Sequence, residues 1–430
     1  VKVTAVDVAR GVLHIQNRYD FSTLKHLACA WSLTRAGVIM QQGVLSLPEI
    51  PAQTAKTVSI PFVFPADAAA WDYWLNLDFT LACDTRWARC GHTVATAQFL
   101  VTARRSAEAK IDVSSSAQLH YFTEGTSLHI QGPEMDVCFD IVHGTLSSWI
   151  YEGQQLMKAG PRLAFWRATT DNDRGGFSRK SVAAEWKAWG LHQLQHRIDR
   201  VTWEKLAGEN ALTLQVVARI APPVRNWGIV CTYRYTVYSS GVILLQVEGN
   251  PAAGGPKTLP RIGLELRLPQ QFERVTWYGR GPGESYRDTK QANLVGIYTK
   301  TVDALYTPYT FPQENGNRSE VRWVGVTDLR GVGLLAMGMP ELNFSLHRYT
   351  VEQFDKAKHT SDLHDAGQLI WHLDLCQQGI GSASCGPALS SQYELRTEPF
   401  QFALSLRPIS ADRLDLAILR TQVPGQRAQS

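Results

Sequence analysis

The fold is indicated most clearly by the stretch Ala211-Leu212-Thr213-Leu214-Gln215-Val216-Val217, which carries an apolar side chain at every second position. This period is typical of a β-strand with one buried face. The same alternation recurs in the segments 12–16, 57–62, 74–79, 242–247 and 400–406. Since it persists along the chain, we predict an all-β protein.

One segment has a helical pattern instead. Between Ser181 and Trp189, the apolar residues Val182, Trp186 and Trp189 fall at positions i, i+4 and i+7. A (β/α)8 barrel needs about 250 residues in which strands alternate with helices. The sequence therefore predicts that this chain contains no such barrel.

The spacing of the predicted strands divides the chain into two domains. Strands over residues 1–103 fit a single immunoglobulin-like β-sandwich. The polar segment 104–116, with Arg104-Arg105 and Ser114-Ser115-Ser116, is predicted to be a linker. Strands over 117–408 continue without a second break and predict one large double sheet, and 409–430 are predicted to be a tail.

Composition excludes several classes of function. The net charge of +4 comes from well-mixed charges, which argues against nucleic-acid binding. No apolar stretch reaches the roughly 20 residues that a membrane-spanning helix needs. Seven scattered cysteines do not indicate a disulfide framework and favour a reducing, cytoplasmic compartment. The chain starts directly with a strand pattern at Val1, without a signal peptide, which suggests excision from something longer.

The 13 tryptophans are suited to sugar binding, since a flat apolar ring fits the C–H face of a pyranose, although aromatic residues also fill cores and most of the 13 are expected to do so. Three polar segments lie near such aromatic residues. They are Leu163 to Gly175, Trp277 to Asp288 and Tyr306 to Arg318.

The first polar segment contains Asp171-Asn172-Asp173, a run of short acceptors that can bind sugar hydroxyls. Gly175 and Gly176 follow and can form a mobile flap. The alternative is a purely structural Asx turn, with Arg167 stacked on Trp166, and turn statistics favour this alternative.

The second segment has glycines at alternate positions, but Pro282 and the spacing exclude a dinucleotide-binding loop. Its Glu284, flanked by Tyr278 and Tyr286, is a candidate sugar-facing acid. The favoured alternative pairs this carboxylate with Arg280 or Arg287.

The third segment ends in a dense polar loop, Gln313-Glu314-Asn315-Gly316-Asn317, which can equally be a hydrogen-bonded turn. Metal sites are weakly indicated. His192 and His196 lack a third ligand, and His359, Asp362 and His364 form a poor candidate set.

Together, these segments resemble glycoside hydrolase family 2 β-galactosidases. The resemblance rests on motifs that occur in the family's order and approximate spacing, over about 117–408. They are Trp166-Arg167-Ala168 with Asp171 to Gly175, Tyr278 to Tyr286, Pro312 to Asn317, Phe344 to Thr350 with His359 and His364, and Gly379-Ile380-Gly381. Residues 1–103 resemble, less specifically, the sandwich that precedes this domain in the family.

The resemblance implies that this chain and a second part of the enzyme have different roles. It implies a β-supersandwich of galactose-mutarotase-like type, whose loops complete a galactoside site. The two catalytic glutamates of the retaining mechanism and the family's Mg and Na ligands would lie in a barrel outside this chain. The implied partners are a β-galactoside, a barrel-bearing catalytic part, and further copies in a homo- or hetero-oligomer.

No catalytic residue and no cofactor is therefore assigned to this chain. The residues predicted to form the rim of the site are Arg167, Asp171, Asn172, Asp173, Gly175, Glu284, Glu314 and Cys385. The flap would span Gly175 to Ser178. Cys385 stands where the family commonly has a tryptophan, and a thiol offers no comparable apolar surface for the aglycone.

Two other functions remain open. One is a stand-alone galactose-binding module. The other is an aldose 1-epimerase-like protein, which needs a histidine acid and a carboxylate base, a role for which His347 with Glu284 or Glu314 is available. The Asp171-Asn172-Asp173 run and the preceding sandwich favour the β-galactosidase pattern.

Overall fold

The computed structural model of the chain describes residues 1–66, 71–102, 118–176, 181–206 and 210–410. The predicted linker 104–116, the flap residues Phe177 and Ser178, and the tail from 411 onward lie outside the described residues. The chain forms two compact units, Val1–Glu108 and Ala109–Ser430. Within the described ranges, no helix is long and apolar enough to cross a membrane.

The described part of the first unit contains seven strands. They are β1 (Lys2–Asp7), β2 (Val12–Gln16), β3 (Leu27–Arg35), β4 (Val38–Leu45), β5 (Ala55–Ser59), β6 (Tyr73–Leu81) and β7 (Thr93–Thr102), with a short 3-10 helix at Leu24–His26. One antiparallel sheet has the order β1-β2-β5 and the other β4-β3-β6-β7. This arrangement confirms the predicted immunoglobulin-like sandwich.

The core of the first unit is built by the alternation seen in the sequence. Leu13 and Ile15 of β2 are fully buried, and so are Leu75 and Phe79 of β6. Asn17 is a buried polar side chain at the end of β2, where its amide donates to the carbonyls of Ser22 and Ile50. The interior of this unit is therefore almost entirely apolar among its described residues.

Strand β4 lies at the edge of its sheet and pairs with β3. Several of its apolar side chains are exposed, including Ile39 and Val44. The Gln41 side chain bonds the backbone of Val63 in both directions, since its Nε2 donates to the carbonyl and its Oε1 accepts from the amide, each at 2.8 Å.

The second unit contains the remaining described elements. The strands are β8 (His120–Glu124), β9 (Ser127–Gln131), β10 (Met135–Asp140), β11 (Thr145–Tyr151), β12 (Gln154–Met157), β13 (Ala159–Ala164), β14 (Gln195–Lys205), β15 (Ala211–Ala221), β16 (Ile229–Tyr238), β17 (Ile243–Pro251), β18 (Arg261–Leu268), β19 (Arg274–Gly281), β20 (Leu294–Thr301), β21 (Arg318–Thr327), β22 (Gly333–His347), β23 (Leu369–Gln377) and β24 (Phe400–Ile409). The helices are α1 (Asp171–Arg174), α2 (Val182–Ala188), α3 (Val302–Leu305) and α4 (Val351–Lys356), with 3-10 turns at Leu191–Gln193, Lys290–Ala292, Thr360–Asp362 and Ser391–Tyr393. The strands form one connected antiparallel sheet that curls and closes on itself, and the all-β prediction is confirmed.

The pairing of these strands brings the ends of distant polar segments together in two groups. Strand β18 pairs antiparallel with both β13 and β23, so β13 and β23 end where β18 begins. Strand β22 continues this sheet, and β21 begins opposite its end, at the pair Arg318 and Phe344. Strand β19 is antiparallel to β21 and therefore ends where β21 begins. Because the end of β22 pairs with the start of β23, the segment that precedes β21 does not lie at the edge where β13 and β23 end. Side-chain contacts, such as that of Arg261 with Glu314, join it to the segments there.

The predicted helix between Ser181 and Trp189 is confirmed as α2. The Ser181 hydroxyl caps its start by accepting from the amide of Ala184 at 3.1 Å. Its buried residue Trp186 donates from Nε1 to the hydroxyl of Thr258 at 3.1 Å. The helix is thereby fixed close to the start of β18, which follows Thr258.

Candidate functional site

Helix α1 is organised by a buried ion pair. Arg167 Nη2 donates to both carboxylate oxygens of Asp173, at 2.8 and 3.0 Å, and both side chains are almost fully buried. Asp173 also accepts from the amide of Thr170, whose hydroxyl caps the helix in return. The Arg167 guanidinium lies 5.7 Å from the ring centre of Trp186, so the predicted stacking on Trp166 is wrong.

Arg167 also connects α1 to the segment that follows β23. Its Nη1 donates to the carbonyl of Gln378 at 2.5 Å, and its Nη2 to that of Gly379 at 3.3 Å. A charged donor on two carbonyls and one carboxylate gives strong, directional bonds. One buried guanidinium therefore fixes two loops that are more than 200 residues apart in sequence.

Asn172 holds the next part of the same loop. Its Nδ2 donates to the carbonyl of Gly381 at 2.8 Å, and its Oδ1 accepts from the amide and hydroxyl of Ser384 at 3.0 and 2.7 Å. Gly176 packs closely against this loop, because a Cβ there would lie 2.0 Å from the carbonyl oxygen of Ser384. The exposed thiol of Cys385 follows directly, 3.7 Å from the Ser384 hydroxyl.

Asp171 and Arg174 form the outward side of α1. The Asp171 amide donates to Gln313 Oε1 at 3.0 Å, while its carboxylate accepts from Arg174 at 3.1 Å and stays 57% exposed. The Arg174 guanidinium lies 4.4 Å from the ring centre of Phe311, which is itself 40% exposed. The helix ends at Gly175, which has a φ of 72°. An accessible carboxylate, a guanidinium and an aromatic ring are thus adjacent on this surface.

Glu314 lies inside the protein. Its carboxylate accepts from Arg261 at 3.2 Å on both oxygens and from Gln377 Nε2 at 3.3 Å. Arg261 also lies 3.0 Å from Asp374, which is fully buried. Burial raises the pKa of Asp374 to about 7, and the neighbouring Glu314 acts in the same direction, whereas Arg261 opposes it.

Glu284 joins the second and third polar segments. One carboxylate oxygen accepts from the Thr307 hydroxyl at 3.1 Å and the Gly316 amide at 2.8 Å, and the other from the Tyr309 hydroxyl. Burial and this contact raise the pKa of Tyr309.

The favoured alternative for Glu284, a pair with Arg280 or Arg287, is wrong. Arg280 pairs with Glu320, and Arg287 donates to the carbonyl of Glu394 at 3.1 Å. Both guanidinium groups thus have other acceptors, and the Glu284 carboxylate is bound by hydroxyl and amide donors.

The histidines do not assemble a reactive pair. His347 is buried and bonds the carbonyl of Asn315 through Nε2 at 3.0 Å, so its partner is backbone and neither Glu284 nor Glu314. Burial lowers its pKa to about 4. Burial likewise lowers the pKa of His196 to about 3, which favours its neutral form. In the described part of the chain, no three His, Cys, Asp or Glu side chains are arranged to hold a metal ion.

The eight predicted rim residues lie in one connected set of contacts. Arg167 contacts Asp173, Asn172 contacts the loop of Cys385, and the Glu314 amide donates to the carbonyl of Ala168 at 3.3 Å. Glu284 is linked through Gly316, two residues beyond Glu314. The exposed members are Asp171 and Cys385, while Arg167, Asp173 and Glu314 have their polar groups turned into the protein.

Sequence reasoning missed Arg261 and Asp374, which bind the Glu314 side of this site. The available signal was a charged residue in an apolar strand, since Asp374 lies in Leu369-Ile370-Trp371-His372-Leu373-Asp374-Leu375. A charge within such a run is rarely buried without a partner.

Two family models match the chain. "Beta galactosidase small chain" matches residues 131–406, and "Beta-galactosidase, domain 4" matches residues 13–102.

Among curated proteins, a "Beta-galactosidase" of Photobacterium profundum is 30% identical over 419 residues, covering 95% of this chain and 39% of that protein. One of Kluyveromyces lactis is 27% identical over 417 residues, covering 93% and 37%. The chain thus spans well under half the length of these relatives. Among solved structures, the galactose 1-epimerase of Lactobacillus acidophilus NCFM has a TM-score of 0.37 at 8% identity, covering 68% of this chain and 98% of that one.

Proposed function

Because the chain belongs to the β-galactosidase small-chain family, we propose that it works as part of a family 2 β-galactosidase, an enzyme that hydrolyses terminal β-galactosides with retention of configuration. This proposal is supported by the family match over residues 131–406 together with the contacts that join all eight rim residues. This chain would supply the rim of the galactoside site.

We place the catalytic glutamates in a partner part of the enzyme. A retaining glycosidase needs two carboxyl groups about 5–5.5 Å apart, both free to reach the sugar. Glu314 is buried against Arg261, and Glu284 accepts from three protein donors. Neither carboxylate has the freedom that a nucleophile or a proton donor requires.

The roles proposed for the rim follow from exposure. Asp171 and Cys385 are exposed and would face the sugar or its aglycone, with Gly175 at the edge of the flap. Arg167, Asn172, Asp173, Glu284 and Glu314 hold the loops that carry these groups. A misplaced substrate can cost about a hundredfold in rate, so rigid loops matter to an enzyme of this kind.

The remaining expectations belong to the same proposal. The Mg and Na sites of the family would lie in the barrel-bearing part, and the enzyme would assemble as a homo- or hetero-oligomer. A cytoplasmic location accords with seven cysteines that are all unpaired. The domain boundaries at 103, 117 and 408 stay predictions.

Complementation tests this function. The purified chain is mixed with a barrel-bearing part of a related β-galactosidase, and hydrolysis of a nitrophenyl galactoside is measured for each part and for the mixture. We expect near-zero rates for this chain alone and restored hydrolysis in the mixture. Hydrolysis by the chain alone at ordinary enzyme rates would contradict the assignment.

Two further measurements separate the alternatives. Galactoside binding by the isolated chain at millimolar affinity or better, without complementation, would favour a stand-alone binding module. Faster mutarotation of α-galactose, reduced by His347→Ala, would favour an epimerase. The backbone partner of His347 argues against that second outcome.

A further inference from the structure

The turn Gly379-Ile380-Gly381 is held by hydrogen bonds to the side chain of Asp288. One carboxylate oxygen of Asp288 accepts from the amide of Ile380 at 3.0 Å, and the other accepts from the amide of Gly381 at 2.7 Å. Two successive amides that converge on one carboxylate form a small anion-binding concavity. Asp288 comes from a loop almost a hundred residues earlier, so this contact is purely tertiary.

The glycines of the turn make this approach possible. A Cβ at Gly379 would lie 3.1 Å from a carboxylate oxygen of Asp288 and 2.8 Å from a side-chain carbon of Leu389. Gly381 has a φ of 66°, a conformation that side chains with a Cβ disfavour. The backbone therefore curves tightly around the carboxylate.

The charge of Asp288 is directed at the backbone. Among the ion pairs of the described residues, none includes Asp288. Charge-assisted bonds to amides are roughly twice as strong as neutral ones. The turn is thus fixed on one side by Asp288, and on the other by Asn172 and Arg167.

We propose that Asp288 is a positioning residue, which sets the location of Cys385 at the rim by fixing the Gly379–Gly381 turn. This inference rests on the proposed function for its effect on catalysis, although its effect on the loop does not depend on that function. Cys385 follows the turn by four residues, and Asn172 holds Ser384 immediately before it. Loss of Asp288 would leave the amides of Ile380 and Gly381 without their acceptor, while the contacts of Gly379 with Tyr393 and of Ser384 with Asn172 remain.

The first test measures the loop in the full chain. Amide hydrogen exchange at Ile380 and Gly381 is compared in the unmodified chain, Asp288→Ala and Asp288→Asn. We expect exchange at least about tenfold faster in Asp288→Ala, and an intermediate rate in Asp288→Asn, which keeps one acceptor oxygen. Asp362→Ala is the matched control, because Asp362 also accepts two backbone amides, from Lys358 and His359 at 3.0 Å.

Unchanged exchange at these two amides in Asp288→Ala would overturn the proposal, as would equal acceleration by Asp362→Ala. Should Asp288→Ala fail to fold, Asp288→Asn carries the comparison by itself, and unchanged exchange there has the same meaning.

The second test uses the enzyme reconstituted with the barrel-bearing part. We expect Asp288→Ala to raise KM for a nitrophenyl galactoside about tenfold while the melting temperature of the chain stays within a few degrees, with Asp288→Asn partly restoring KM. Faster loop exchange with unchanged KM and kcat would overturn the role in positioning. If the unmodified chain restores no hydrolysis, the proposed function fails, while the exchange measurement still decides whether Asp288 holds the turn.

Discussion

The two units of the chain bury very different side chains. In the first unit, Asn17 stands out as a buried polar residue among aliphatic and aromatic ones. In the second unit, the buried set includes Arg167, Asp173, Arg261 and Asp374. All four charged groups belong to the ion pairs of the candidate site.

The difference has an energetic meaning. Burial of apolar surface stabilises the folded state by about 25 cal/mol per Å2 and does not depend on the orientation of the side chains. The first unit can therefore be stable with few buried polar groups. A buried ion pair is often no more stabilising than an apolar substitute, yet removing one partner is strongly destabilising. The charged groups of the second unit therefore fix loop geometry at some cost in stability, which is typical of a functional site.

The largest expected effect comes from breaking the Arg167–Asp173 pair. Arg167→Met leaves a buried carboxylate and two carbonyls without their donor, and we expect a loss of about 3–5 kcal/mol in the free energy of unfolding of the second unit. Urea unfolding, with hydrogen exchange to separate the two units, measures it.

Arg225→Met is the matched control for Arg167→Met. Arg225 also bonds a carbonyl, that of Ala188, and lies 5.5 Å from the ring centre of Trp189, but it is exposed. We expect this control to change stability by less than about 1 kcal/mol. Equal losses in the two variants would remove the distinction between buried and exposed charge.

A smaller effect is expected from the buried polar residue of the first unit. Asn17→Ala leaves the carbonyls of Ser22 and Ile50 without a donor, and both acceptors are neutral. We expect a loss of about 1–3 kcal/mol in the first unit, with the second unit unchanged. The same urea and exchange measurements apply. A loss as large as that of Arg167→Met would break the comparison between the two interiors.

The third effect depends on pH. Because the pKa of Asp374 is raised to about 7, from an ordinary value of 3.8, its contribution to stability is full below pH 4 and is lost as pH rises towards 7 and above. Asp374→Asn removes this decline, so the variant should gain stability relative to the unmodified chain between pH 5 and pH 8. We expect a net gain of about 1 kcal/mol, because attraction to Arg261 is lost at the same time.

Melting temperatures of the second unit, taken across this pH range, test the Asp374 prediction. Asp328→Asn is a suitable control, since hydrogen bonds from Val332 and Arg330 outweigh burial and lower the pKa of Asp328. That control should lose stability above pH 4, which is the opposite sign. Parallel profiles for Asp374→Asn and the unmodified chain would contradict the prediction.

The smallest effect on stability is expected at the exposed rim. Cys385→Trp supplies a flat apolar face of the kind that fits the C–H face of a sugar. We expect KM for an aryl galactoside in the reconstituted enzyme to fall about three- to tenfold, with no change in unfolding. Cys90→Trp, at an exposed cysteine of the first unit, is the control and should leave KM unchanged.

Sequence patterns predicted the local structure well because strand periodicity is a local property. The stretch at 211–217 lies within β15, and α2 begins where Ser181 caps it. The rim residues came from a resemblance in ordered motifs, and the structure brings them into contact. Periodicity alone would not have selected them.

The partners of the site residues were less predictable because they depend on strand pairing. Arg261 contacts Glu314 and Asp374 only because β18 lies beside β23. Glu284 has nearby arginines in sequence, yet its donors come from a loop more than 20 residues away. Tertiary contacts of this kind leave no periodic signal.

The contact of Gln41 with Val63 has a consequence for association. An edge strand such as β4, with exposed Ile39 and Val44, offers amides and carbonyls that can recruit a strand from another molecule and start aggregation. The Gln41 side chain ties residue 63 alongside this edge with an amide-to-amide pair that imitates one rung of a ladder. We expect this contact to hinder the pairing of a strand from another molecule at that position of the edge.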